Sequence, residues 1–89
     1  MADGHHFNLS PEIGVRNIGE EIFILAPTGD LVILKPDSGT FLWSQIEQGV
    51  GTEADLTRRL QEAFDVHEDM AAEDVNRFIK RLQTLGIIR

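Results

Sequence analysis

Residues 21–43, EIFILAPTGDLVILKPDSGTFLW, decide the fold. Two short apolar runs, residues 21–26 and 31–34, flank the sequence Pro27-Thr28-Gly29-Asp30. Proline fixes one backbone dihedral and glycine accepts positive φ, so the intervening residues have the composition of a tight turn. The stretch therefore predicts a β-hairpin, and Pro36 ends its second strand.

The rest of the chain adds one strand before the hairpin and three helices after it. Residues 13–18 are short and rich in β-branched side chains, as in a strand. Asp37 or Ser38 can cap a first helix and Thr52 a second, and apolar residues recur at helical spacing from about residue 71 to 85. The sequence thus predicts an α+β domain in which a three-stranded antiparallel sheet precedes three helices.

We expect a flexible N-terminal tail over residues 1–11 and a single domain over residues 12–89. Pro11 keeps the residue before it out of helical geometry. His5 and His6 lie in the tail, and no further ligand is spaced to complete a metal site with them, so we expect no metal. No run of about 18 apolar residues and no signal peptide is present, which favours a cytoplasmic location.

Composition argues against catalysis and against nucleic acid as a partner. The 89 residues include no cysteine, and 15 acidic against 8 basic side chains give a formal charge of −7, which repels nucleic acid and anionic membranes. The acidic residues are dispersed over helix starts and solvent faces, and the glycines match no phosphate-binding spacing. We expect neither an active site nor a cofactor.

The hairpin is apolar on both faces. In residues 22–25 and again in residues 31–34, apolar side chains occupy odd and even positions alike, whereas a sheet with one wet face alternates apolar with polar. Three helices can cover one face only. The second face or the open edge must be met by residues 1–10 folding back with Phe7 and Leu9, by a second copy in a homodimer, or by an extended peptide that adds a strand.

Three basic residues on the third helix, Arg77, Lys80 and Arg81, allow three interpretations. They can be a solvated helical face. In a winged-helix DNA-binding regulator they would lie in the major groove, although a domain of charge −7 makes few phosphate contacts. Finally, they can flank a groove beside the last strand and pair with acidic side chains of a bound peptide.

The ordered set of patterns over about residues 12–88 resembles the PqqD-like family. Besides residues 21–43, it comprises Gly51-Thr52-Glu53, Phe64-Asp65-Val66 and the apolar spacing of residues 74–88. The resemblance implies a winged-helix-like fold and the function of a RiPP recognition element, a non-catalytic chaperone for the leader of a ribosomally made precursor peptide. Where the family frequently has Asn before the proline, this chain has Lys35.

The resemblance also implies a site and partners. In the family the leader binds as an added strand between the third strand and the third helix, and is presented to a modifying enzyme of radical-SAM or leader-peptidase type. Carried over by position, the strand edge is Leu31, Val32, Ile33 and Leu34. The helix wall is Val75, Phe78, Ile79 and Leu82, rimmed by Arg77, Lys80 and Arg81. Proline at Val32 would then remove an edge N–H. Pyrroloquinoline quinone, lasso-peptide and other pathways stay open.

Overall fold

The computed structural model describes residues 7–88. Its elements are β1 (Gly14–Ile18), β2 (Glu21–Leu25), β3 (Leu31–Leu34), α1 (Ser38–Glu47), α2 (Glu53–Phe64) and α3 (Glu68–Thr84). The strands form one antiparallel sheet in the order β1-β2-β3, so β2 is central and β3 is an edge. This confirms the α+β prediction of three antiparallel strands followed by three helices.

The turn between β2 and β3 fixes the register of the hairpin. The Ala26 N–H donates to the Asp30 carbonyl at 2.8 Å, and the Gly29 N–H donates to the Ala26 carbonyl at 2.9 Å. Gly29 has a φ of 94°, which L side chains rarely adopt. With the turn closed in this way, Ile24 lies opposite Val32 along the ladder.

The register sends one set of strand side chains into the core. The even-numbered apolar residues of β2 and β3 are buried, namely Ile22, Ile24, Val32 and Leu34. They pack in one cluster with buried residues of all three helices, including Trp43, Leu56 and Val75. The odd-numbered residues of the same strands lie on the opposite face, which we call the outer face. The helices therefore cover one face of the sheet, as predicted.

Side chains cap all three helices at their N-termini. Asp37 accepts the Gly39 N–H at 2.8 Å, and the Thr52 hydroxyl oxygen accepts the Asp55 N–H at 3.2 Å. The third helix begins at Glu68, earlier than the apolar spacing indicated, because His67 serves as its cap. Acidic residues fill its first turn and interact favourably with the helix dipole, so this turn is helical without apolar periodicity.

Residues 7–10 make backbone contacts with the folded domain, although the sequence had suggested that the domain begins at residue 12. The Phe7 N–H donates to the Gly51 carbonyl at 2.8 Å, and the Ser10 N–H donates to the Ile87 carbonyl at 2.9 Å. Leu9 forms a bridge with Ile88 in the same place, because the buried C-terminal residues offer a short strand-like partner. Phe7 packs against the core cluster rather than across the outer face.

The remaining tail residues, 1–6, lie outside the described part of the chain, and so does Arg89. The expectation for His5 and His6 therefore stays a prediction. Of the three ways to meet the outer face or the open edge, folding back is not what residues 7–10 do. The folding back of residues 1–6, a second copy and an added peptide strand all stay predictions.

The cap of α2 allows a test of the local structure. We expect Thr52→Ala to lower the free energy of unfolding by about 1 kcal/mol, because the Asp55 N–H loses its acceptor. Thr57→Ala is the matched control, since the Thr57 hydroxyl only donates to the Glu53 carbonyl within the helix, and its effect should stay within about 0.5 kcal/mol. Urea denaturation measures both, and equal losses would contradict the capping role.

Candidate functional site

The outer edge of β3 has backbone groups without a strand partner. In an antiparallel ladder, residue pairs alternate between hydrogen-bonded and non-hydrogen-bonded, and the pair that closes the turn is hydrogen-bonded. Counting along the register, Val32 and Leu34 bond to β2, whereas the N–H and C=O groups of Leu31 and Ile33 point away from it. Among residues 7–88, no strand pairs with this edge.

The four predicted edge residues therefore divide into two pairs. Val32 and Leu34 are 1% and 4% exposed, so their side chains belong to the core and their backbone to the hairpin. Leu31 and Ile33 are 57% and 39% exposed, and their backbone faces outward. The N–H of Val32 bonds to β2, so proline at this position would remove a hydrogen bond of the hairpin and not an edge N–H, as the sequence had suggested.

A cleft of about 320 Å³ lies where β3, the start of α1 and α3 meet. Its apolar part is formed by Ile33 and Leu34 from β3, Leu42 from α1 and Phe78 from α3. Phe78 is half-buried against the core cluster, so its position is fixed while part of its ring still lines the cleft. An extended chain lying along β3 would contact this surface with every second side chain.

Only part of the predicted α3 wall lines this cleft. Phe78 does, but Val75, Ile79 and Leu82 are no more than 1% exposed and form the core beneath it. The reason is the helical repeat, which sets these three residues on one stripe and Phe78 on the next. Both stripes carry apolar residues, so periodicity alone could not separate them.

The predicted basic rim divides in the same way. Arg77 and Arg81 line the cleft; Arg77 is three residues after Asp74 and Arg81 is three residues after Phe78, so all four lie on one stripe of the helix. Lys80 is exposed and lies outside the lining of the cleft. The structure thus brings together Ile33, Leu34, Arg77, Phe78 and Arg81 of the predicted site.

The connection between β3 and α1 closes one end of the cleft and was missed by the sequence prediction. Lys35, Asp37, Ser38 and Gly39 line it there, together with Leu42. The Asp37 cap holds this connection in place through the Gly39 N–H. The capping residue was visible in the sequence as a helix start, but nothing in the pattern indicated that the helix begins beside α3.

Ion pairs compensate two of the three cations that line the cleft. Arg77 pairs with acidic side chains of its own helix, the nearer being Asp74 at 3.0 Å. The Lys35 ammonium donates to Glu21 at 2.7 Å, and this hydrogen bond and charge raise the pKa of Lys35. The pair ties the end of β3 to the start of β2. Arg81 has no ion-pair partner among the described residues.

The described residues offer a binding surface for a polypeptide backbone. Within residues 7–88, no three His, Asp or Glu side chains lie close enough together to hold a metal ion. None of the three helices in this part of the chain has the length and apolarity needed to cross a bilayer. What the site does offer is outward N–H and C=O groups beside a cleft that is lined by both apolar and charged side chains.

Fold and site together define a small α+β domain whose edge strand suits strand addition. The family model described as coenzyme PQQ synthesis protein D (PqqD) matches residues 20–88. The chain belongs to the PqqD family. No curated protein matches the sequence.

Two solved structures share the fold. The first is TbiB1 in complex with the TbiA(beta) leader peptide, with a TM-score of 0.81, 20% identity, and coverage of 91% of this chain and 93% of that chain. The second is lasso peptide synthetase B1 complexed with the leader peptide, with a TM-score of 0.78, 21% identity, and coverage of 94% and 98%. Both likenesses confirm the arrangement of three strands followed by three helices.

The assignment of the open edge predicts different effects for proline at adjacent positions. We expect Val32→Pro to lower the free energy of unfolding by roughly 3 kcal/mol or more, because it removes a ladder hydrogen bond and a buried side chain. Ile33→Pro should cost about 1 kcal/mol, since its N–H has no partner in the sheet. Urea denaturation compares the two, and hydrogen exchange should be slow at the Val32 amide and fast at Ile33. The reverse order would contradict the register argument.

Proposed function

We propose that this protein is a non-catalytic chaperone that captures the leader of a ribosomally made precursor peptide and presents it to a modifying enzyme. The observation that carries the proposal is the outward-facing backbone of β3 beside the α3 cleft. Membership of the PqqD family supports it, and so does the likeness to two proteins whose structures hold leader peptides. The function is binding and delivery, with the chemistry supplied by the partner.

The proposed binding mode is strand addition to β3. The leader backbone exchanges hydrogen bonds with the N–H and C=O groups of Leu31 and Ile33, which gives affinity without regard to side chains. Alternate leader side chains then enter the cleft against Phe78 and Leu42, which gives selectivity. The intervening side chains lie on the outer face of the extended sheet.

We propose an enzyme of radical-SAM or leader-peptidase type as the partner that receives the leader. Ribosomal precursors are modified where they are made, so we place the protein in the cytoplasm. Lys35 stands where the family often has Asn, and its ion pair with Glu21 holds the strand end in a different way. The pyrroloquinoline quinone, lasso-peptide and other pathways are therefore alternatives for the same binding mode.

No observation favours the alternative of a winged-helix DNA-binding regulator. Of the three basic residues on α3, Arg77 is paired with carboxylates and Lys80 lies apart from the cleft that Arg77 and Arg81 line. The formal charge of −7 would oppose approach to a polyanion. The two similar structures hold peptides.

The proposal is tested with the leader of a precursor peptide encoded beside this protein's gene. Titration into the isotope-labelled domain should shift the amide signals of residues 31–34 and of α3. We expect Phe78→Ala to raise Kd about tenfold, the loss typical of an anchoring aromatic side chain. Phe64→Ala is the matched control, because Phe64 is an exposed aromatic residue on α2 that does not line the cleft. If the Phe78 variant is folded and binds like the parent, the cleft is not the site.

We also propose that the outer face packs against a second copy of the chain when no enzyme is bound. Ile18, Leu25, Leu31 and Ile33 are exposed on this face, and Phe23 lies among them. Three strands of about five residues span roughly 14 by 17 Å. The area of this face is smaller than the area that each partner normally buries in a stable interface. The dimer is therefore weak and reversible, and it leaves the face accessible to a stronger partner.

Sedimentation equilibrium tests the dimer over a range of protein concentrations. We expect Leu25→Glu to abolish association, because a charge on the central strand β2 would be buried in the interface at the cost of its hydration. Met70→Glu, which changes an exposed apolar residue on α3 away from the face, should associate like the parent. A parent protein that stays monomeric at millimolar concentration would remove the homodimer from the proposal.

A further inference from the structure

We propose that Arg81 makes the cleft selective for peptides in which one Asp or Glu accompanies an aliphatic or aromatic residue. The inference rests on the proposed function, because it assumes that an extended peptide lies along β3. It adds the chemical class of that peptide. The acidic residue and the apolar residue of the peptide would both bind in the same cleft of about 320 Å³.

The first step is the composition of the cleft. Ile33, Leu42 and Phe78 contribute to its apolar lining, and Arg77 and Arg81 each contribute a guanidinium group. Phe78 and Arg81 are three residues apart on α3, so they lie on the same side of the helix. A peptide side chain seated on Phe78 therefore brings its sequence neighbours within reach of Arg81.

The second step is the charge balance around the cleft. Lys35 pairs with Glu21 and Arg77 pairs with Asp74, so each of these cations already has a carboxylate. The third carboxylate near the cleft, Asp37, accepts the Gly39 N–H as the cap of α1. Arg81 has no such partner among residues 7–88. A carboxylate brought by the peptide would be its first ion-pair partner, and guanidinium and carboxylate can form two parallel hydrogen bonds.

The third step concerns how many acidic residues the peptide should carry. The protein's net charge of −7 repels an acidic chain as a whole, but at physiological salt this field decays over about 8 Å. A contact at Arg81 acts at shorter range than the repulsion. The favoured ligand therefore has one acidic residue beside its apolar anchor, rather than an acidic run.

Arg81 also lies in the last turn of α3, where a cation interacts favourably with the helix dipole. That role would change the stability of the protein on substitution, but not the sequence of the peptides that it binds. Peptide selectivity is thus the readout that separates the two roles. Lys80 provides the matched control, because it is the preceding cation on the same helix and does not line the cleft.

The experiment selects a randomised library of 20-residue peptides against the parent protein, Arg81→Glu and Lys80→Glu. We expect the parent and the Lys80 variant to enrich one acidic residue at a constant spacing from an aliphatic or aromatic residue. The Arg81 variant should enrich Lys or Arg at that position instead. For an enriched peptide, Glu→Gln should weaken binding to the parent about tenfold. The same change should strengthen binding to the Arg81→Glu variant, because it removes the repulsion between two carboxylates.

The possible failures are distinguishable. Enriched peptides that shift the amide signals of residues 31–34 but show no acidic preference overturn the inference and leave the proposed function standing. Loss of the acidic preference in both charge variants also overturns it, because Lys80 does not line the cleft. A library from which no peptide is enriched overturns the proposed function and the inference together.

Discussion

The register of the β2–β3 hairpin is the constraint on which the rest of this structure depends. The hydrogen bond between Ala26 and Asp30 closes the turn and sets which residue faces which along the ladder. Because side chains and backbone groups both alternate with a period of two, one choice of register decides two things at once. It sends Ile24 and Val32 into the core, and it turns the backbone of Ile33 toward the open edge. A slip by one residue would exchange these roles.

Helix α3 likewise has two roles, because one stripe of its side chains packs in the core and the neighbouring stripe lines the cleft. Val75 and Ile79 hold the helix against the sheet, and this packing fixes the position of Phe78 and Arg81 relative to β3. The cleft is therefore positioned by core residues that never contact a ligand. Substitutions in the buried stripe would act on stability first and on binding only through the position of the helix.

Charge is arranged locally in a protein whose overall charge is strongly negative. Ion pairs compensate Lys35 and Arg77, and acidic residues at helix starts interact with the helix dipole. Of the three cations that line the cleft, Arg81 alone has no ion-pair partner among residues 7–88. The outer face differs from the cleft, since several large apolar side chains are exposed on it, among them Leu25 and Leu31. The edge, the cleft and the outer face meet at β3, so a strand added there would contact all three.

The sequence by itself determined the elements and their order. Turn residues 27–30, the Asp37 and Thr52 caps and the helical spacing of apolar residues are local signals, and each acts over a few residues. Only the tertiary structure decided which of two apolar sets would be buried. Leu31 and Val32 are equally apolar, as are Phe78 and Ile79, so hydropathy cannot rank them, and the choice follows from contacts between residues far apart in the chain. Residues 7–10 are a second case: their sequence predicts a tail, but they belong to the domain because Leu9 and Ser10 pair with Ile88 and Ile87, which are far away in the chain.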